Sequence, residues 1–110
     1  MSLPLTQRKC KPCEGGVEPL PLPAAEQLLQ DLKGWELIDG KSLRKVVTCK
    51  NFLDAVGLVQ RIAPIAEAED HHPDLHLTNY KRLTIELSTH AIGGLSENDF
   101  ILAAKIDQLL

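Results

Sequence analysis

The sequence predicts an α+β domain: a four-stranded antiparallel sheet with three helices on one face, in the order α-β-β-α-β-β-α. Three observations predict it. Apolar residues recur every three or four positions, then every second position, and this alternation of helical and extended periods runs through the chain. Each extended stretch is broken in the middle by a turn signal, Asp39-Gly40 in the first and the region of Tyr80 in the second, which makes hairpins and hence an antiparallel sheet. At 110 residues the chain is long enough to bury about two thirds of its unfolded surface around one core, and too short for two.

Residues 1–22 precede the folded part. Pro4, Pro12, Pro19 and Pro21 with Gly15-Gly16 leave no periodic apolar face, so this segment is expected to be an extended arm, and residues 23–110 a single domain. Cys10-Lys11-Pro12-Cys13 is a C-x-x-C pair inside the arm. Zinc needs about four ligands and a redox pair should open a helix, so two free thiols are the plainer expectation.

Pro23 suits a first helical position, Ala25, Leu28, Leu29 and Leu32 follow at helical spacing, and Gly34 closes a helix expected over 23–33. Trp35 to Asp39 and Ser42 to Lys50 form the first hairpin. Asn51 caps a second helix over 52–70, whose stripe reads Phe52, Val56, Val59, Ile62, Ala63 and Ala66. Pro64 lies inside it and predicts a kink or a widened turn. A short strand around 76–79 turns near Tyr80 into Lys81–Ser88, where Leu83, Ile85 and Leu87 alternate with Arg82, Thr84, Glu86 and Ser88. If that parity persists, His90 shares the polar face. Gly93-Gly94 makes a corner, and Leu95-Ser96-Glu97-Asn98-Asp99-Phe100 opens the third helix with a capping box between Ser96 and Asp99 and a staple between Leu95 and Phe100. Phe100, Ala103, Ala104, Ile106 and Leu110 supply its buried face.

A net charge of −3 and scattered Lys and Arg argue against a nucleic-acid partner. Apolar runs of only a few residues fall far short of the roughly 20 that cross a bilayer, and no charged-then-apolar leader precedes them. An odd cysteine count fits a reducing compartment. A soluble cytoplasmic protein without a membrane partner is expected.

All four histidines (His71, His72, His76 and His90) fall between Glu67 and His90. Imidazole exchanges protons near neutrality and binds metals, so the crowding points to one of these two chemistries. A helical zinc pair at His72 and His76 is broken by Pro73, although His71, His90 and a carboxylate remain a geometrical alternative. For proton transfer, Glu67 lies one turn before His71 and can orient its ring if the helix reaches that far. Two adjacent imidazoles resist being charged together, so one can act as base while another acts as acid. Glu67, Glu69 and Asp70 carry the wrong sign for a helix C-terminus, a broken local rule of the kind that sites produce. The plainer reading is a helix stop, with Asp99 accounted for by its cap and His76 a surface residue.

Glu67, His71-His72-Pro73, Tyr80, Ser88-Thr89-His90 and Leu95-Ser96-Glu97-Asn98-Asp99 together resemble the pterin-4a-carbinolamine dehydratase family. The likeness extends from about Leu20 to Leu110, and the Cys-x-x-Cys-Glu-Gly-Gly arm resembles that of many bacterial members. It implies an enzyme, a hydro-lyase converting 4a-hydroxytetrahydropterin to quinonoid dihydropterin in pterin recycling, with no metal and no cofactor. It further implies catalytic roles for His71, His72 and His90, and substrate-binding or orienting roles for Glu67, Asp99, Pro73, Ser88 and Thr89. Chains of this kind pair into homodimers or homotetramers. Some members act instead as dimerisation cofactors or protein-assembly factors, which is the alternative the resemblance carries.

Overall fold

The computed structural model describes residues 4–10 and 18–110. Its elements are α1 (Leu22–Leu29), β1 (Glu36–Ile38), β2 (Ser42–Thr48), α2 (Phe52–Glu69), β3 (Asp74–Thr78), β4 (Arg82–Leu87) and α3 (Glu97–Asp107), with short 3-10 turns at Leu5–Gln7 and His90–Ile92. The four strands form one antiparallel sheet in the order β1-β2-β4-β3. The expected order of elements and sheet are therefore present.

Register decides what the sheet presents to each side. Leu43 pairs with Leu87 and Val47 with Leu83, while Leu75 and Leu77 of β3 face Ile85 and Leu83. These residues point inward, where Leu43, Leu83, Ile85 and Leu87 are fully buried against Ala55, Leu58, Ile62 and Ala66 of α2 and most of α3. Arg44, Val46, His76, Thr84 and Glu86 line the other side. His76, opposite Thr84, thus lies on the face away from the helices. Among the described residues, no helix is long and apolar enough to cross a membrane.

Both hairpins turn on consecutive left-handed residues, Asp39 (φ 54°) with Gly40 (φ 67°) and Asn79 (φ 50°) with Tyr80 (φ 53°). That backbone matches the twist of the flanking strands. Asn51 caps α2 as expected, its side-chain oxygen accepting the Asp54 N–H at 2.8 Å. α1 stops at Leu29, four residues early, because residues 30–32 tighten into bonds back to the third preceding carbonyl. Gly34 then reverses the chain at φ 75°.

Two helix expectations are corrected. α2 runs without a break from Phe52 to Glu69, with Pro64 inside it. Its buried stripe is Ala55, Leu58, Ile62 and Ala66, with Phe52 and Ala63 exposed. The apolar sequence supports both stripes at helical period, and packing against the sheet selects the second. α3 is buried nearly all round, including Ile101 and Leu102, while Leu110 lies past its end and is exposed. A helix buried on nearly every side, with its charged residues paired, lies between covering layers, and the segment 4–10 helps to cover it through buried Leu5. Within the arm expected as extended, Leu5–Gln7 is a 3-10 turn. Of the Cys10–Cys13 pair, Cys13 lies outside the described residues.

Candidate active site

The end of α2 aims the site. Asp70 follows the helix in the left-handed region (φ 50°, ψ 42°), with its N–H on the Glu67 carbonyl and the His71 N–H reaching back to Ala66 at 3.2 Å. This is a Schellman closure, which caps the free carbonyls of the last turn and swings the chain away from the helix axis. An aspartate tolerates the left-handed conformation better than most side chains, yet Gly is the usual occupant. The reversal places His71 and His72 on a non-helical segment before Pro73 and β3. They therefore leave in different directions.

His71 turns toward α3. Its Nε2 is 2.6 Å from Oδ1 of Asp99, and the two side chains are 11% and 0% exposed. Asp99 is the third residue of α3 and serves the expected capping box, its Oδ2 accepting the Ser96 N–H at 3.0 Å. The same oxygen accepts the Thr89 hydroxyl at 2.8 Å, and the Ser96 hydroxyl lies 2.8 Å from that of Thr89. The single Thr89 proton is committed to Asp99, so the Ser96 hydroxyl donates to Thr89. Paired with a carboxylate that only accepts, the ring would donate from Nε2 and leave Nδ1 as the position open to other chemistry.

Thr89 owes its place to the loop after β4. Its N–H donates to the Gly94 carbonyl at 2.8 Å, and Gly94 returns a longer bond of 3.4 Å, pinching off residues 90–93. Gly93 makes the turn at φ 67°. Gly94 is needed for close approach: a Cβ there would stand 2.8 Å from the Cβ of Pro19, whose neighbour Leu20 donates to the Leu95 carbonyl at 2.8 Å.

The strand ends at Leu87, but the alternation of burial runs two residues further: Thr89 is buried on the inward parity, and His90, which opens the 3-10 turn, is exposed on the other. His90 follows Thr89, a member of the Thr89–Asp99–His71 network, directly in the chain.

Glu67 is not the orienter of His71. Its Oε1 lies 2.7 Å from Nε2 of His72, on an open pair whose side chains are 77% and 56% exposed. The αL turn at Asp70 explains the exchange, since it breaks the helical one-turn relation that would have joined Glu67 to His71. Pro73 and Ser88 are half-buried, Pro73 leading into β3 and Ser88 joining β4 to Thr89. Among the described residues no three His, Cys, Asp or Glu side chains converge in a metal-ligating group.

Glu69, the middle one of the three acids at the end of α2, has partners of its own in Lys105 and the Cys10 N–H. Burial pushes its carboxyl upward, but the hydrogen bond and charge of Lys105, the Cys10 N–H and the charge of Lys9 outweigh that and hold it below the usual carboxylate range. The signal was present in the acidic end of α2, whose partners are 36 and 59 residues distant in sequence.

Comparison with known proteins bears on this arrangement. The family model described as pterin 4 alpha carbinolamine dehydratase matches residues 18–109. A Nitrosomonas europaea protein provisionally named pterin-4-alpha-carbinolamine dehydratase is 52% identical over 106 residues, covering 96% of this chain and 92% of that protein. The mitochondrial pterin-4-alpha-carbinolamine dehydratase 2 of Arabidopsis thaliana is 46% identical over 109 residues, covering 96% of this chain and 58% of its own. Among solved structures, the transcriptional coactivator/pterin dehydratase of Brucella melitensis superposes with a TM-score of 0.77 at 30% identity, over 84% of this chain and 98% of that one.

Proposed function

The chain belongs to the pterin 4 alpha carbinolamine dehydratase family, and from that premise we propose that it removes water from a 4a-hydroxytetrahydropterin by histidine acid–base catalysis. The reaction breaks the bond from C4a to the hydroxyl and the N–H bond of the adjacent ring nitrogen. The electron pair of that N–H becomes the new C=N bond of the quinonoid dihydropterin, and the hydroxyl leaves with an added proton as water. An acid at the hydroxyl and a base at the ring N–H are both needed.

The observation that carries the reading is the His71–Asp99 pair. With Nε2 engaged by Asp99 at 2.6 Å, the neutral ring offers the Nδ1 lone pair in a fixed direction, which suits the base. His90, exposed beside Thr89, is assigned the acid. His72, held by Glu67 at the rim, is assigned to binding and orienting the pterin, with Pro73, Ser88 and Thr89 shaping the backbone around it. Asp99 acts through His71 and is a positioning residue. No metal or bound cofactor is invoked for any step. Association into a homodimer or homotetramer belongs to the same proposal and is supported by the outer edges of β1 and β3, which no other strand among the described residues covers. A cytoplasmic location follows the cysteine argument alone.

The test is the decay of chemically generated 4a-hydroxytetrahydropterin. Wild type is expected to accelerate it, and His71→Ala and His90→Ala each to lower kcat by about tenfold or more, within the roughly 10²–10⁴ that positioned general catalysis supplies. Decay at the spontaneous rate with wild type would overturn the enzyme reading. That result would favour a non-catalytic dimerisation cofactor or assembly factor, an alternative kept alive by the coactivator half of the Brucella protein's description.

A further inference from the structure

Glu69 is the last residue of α2 and stands two positions before His71. A carboxylate in the final turn opposes the helix dipole and cannot serve the turn's free carbonyls, so its position gains α2 nothing by itself. Its interactions lie elsewhere. The side chain is 6% exposed, and Oε1 accepts from Nζ of Lys105 in α3 at 2.5 Å and from the backbone N–H of Cys10 at 3.4 Å.

Cys10 belongs to the segment 4–10, which also holds the beginning of α3. Arg8 Nη1 is 3.1 Å from Oε1 of Glu97, and Cys10 Sγ is 3.6 Å from the Asn98 carbonyl. Leu5 anchors the other end of the segment in the core. The segment therefore bridges the end of the helix that delivers His71 and the start of the helix that carries Asp99. Glu69 is where the arm, α2 and α3 meet.

We propose that Glu69 is a positioning residue: by joining Lys105 and the Cys10 N–H it fixes the end of α2 against α3 and thereby sets the approach of His71 to Asp99. The His71–Asp99 contact at 2.6 Å has little room for error, since a slip of about 1 Å takes it beyond hydrogen-bonding range. Losing that bond frees the ring to exchange tautomers and to rotate, which removes the directed Nδ1 lone pair. The catalytic part of this inference rests on the dehydratase reading, while the placement of the ring does not.

The experiment uses the full chain with Glu69→Gln, Glu69→Asp and the exchanged pair E69K/K105E. Kinetics of 4a-hydroxytetrahydropterin dehydration are read beside the ¹⁵N resonances of the His71 imidazole, both under conditions where thermal melts show each protein folded. Wild type is expected to give a single Nε2–H tautomer. Glu69→Gln should mix the tautomers and lower kcat about tenfold at unchanged KM, because small misplacements of a reacting group cost rate before they cost binding. Glu69→Asp keeps the charge but shortens the reach, and is expected to fall between; E69K/K105E restores the ion pair and should recover part of the ring signal and of kcat. A wild-type ring spectrum in folded Glu69→Gln or Glu69→Asp would overturn the proposal, as would a loss in KM alone. If wild-type protein leaves the decay unchanged, the dehydratase reading fails, and the ring spectrum still decides the placement of His71.

Discussion

Asp99 accepts three hydrogen bonds at once, from Thr89, the Ser96 backbone and His71, with no exposure to water. A buried acceptor deprived of a donor bears its own desolvation, whereas an exposed one is repaid by water. Two nearby substitutions should therefore behave in opposite ways. Thr89→Val leaves Oδ2 of Asp99 one donor short and is expected to destabilise by about 1–3 kcal/mol in urea unfolding. His72→Ala breaks a pair that is open to solvent on both sides, and its stability should stay within about 0.5 kcal/mol of wild type. Its effect is expected in KM for the pterin. Each of these residues was visible in the sequence motif, but the division between a buried histidine and an exposed one was not, because adjacent residues at a helix end diverge by an amount that the cap geometry sets.

At the scale of elements, three acids end α2 and each has a separate use: Glu67 meets His72, Glu69 meets Lys105, and Asp70 takes the left-handed cap. The charge pattern that breaks the dipole rule is explained by these contacts. Glu69 also predicts a pH dependence. Its folded carboxyl titrates below the ordinary value of 4.5, so the unfolded chain takes up the proton first as pH falls. The stabilisation is fully present above the unfolded value and disappears as pH drops through the folded one. The stability gap between wild type and Glu69→Gln, measured from about pH 7 to about pH 3, should hold constant at first and close only on the acid side. The loop after β4 gives a second prediction at this scale. Gly94→Ala drives a Cβ to 2.8 Å from the Pro19 ring, and is expected to lower stability by about 1–3 kcal/mol, seen as a drop in Tm.

Across the whole molecule, Asp107 joins the first hairpin to the far end of α3. Its oxygens accept from the Lys33 N–H at 3.2 Å, the Trp35 indole N–H at 2.9 Å and Lys45 Nζ at 2.8 Å. Lys45 is the one charge on the inward face of β2, and this contact is what permits it there: the stem lies near Trp35, with Nζ 5.8 Å from the ring centroid, and the ammonium is paired. Asp107→Ala strands the buried indole N–H and leaves Lys45 with the Lys33 carbonyl as partner, and should cost about 1–3 kcal/mol by chemical denaturation. The two ends of α3 thus have distinct work. One end positions His71 through Asp99, and the other ties the sheet edge to the core.

The sequence by itself determined the order of helices and strands, the antiparallel sheet, the two hairpin turns and the capping box at Ser96 and Asp99. These depend on local periodicity and on turn chemistry, which act over a few residues. It also supplied the residue types of the candidate site, because the histidines and acids stand close together in the chain. Only the tertiary structure decided which stripe of α2 is buried, since Phe52 and Ala55 both begin a helical period and contact with the sheet selects between them. It likewise decided that Glu67 partners His72 while Asp99 holds His71, and that Thr89 joins Asp99 in the buried network. Those outcomes depend on where the chain reverses, at Asp70 and at Thr89, and on what α3 and the arm bring to meet it. Contacts between residues 28 and 59 apart are fixed by packing the elements together, and no short-range pattern encodes them.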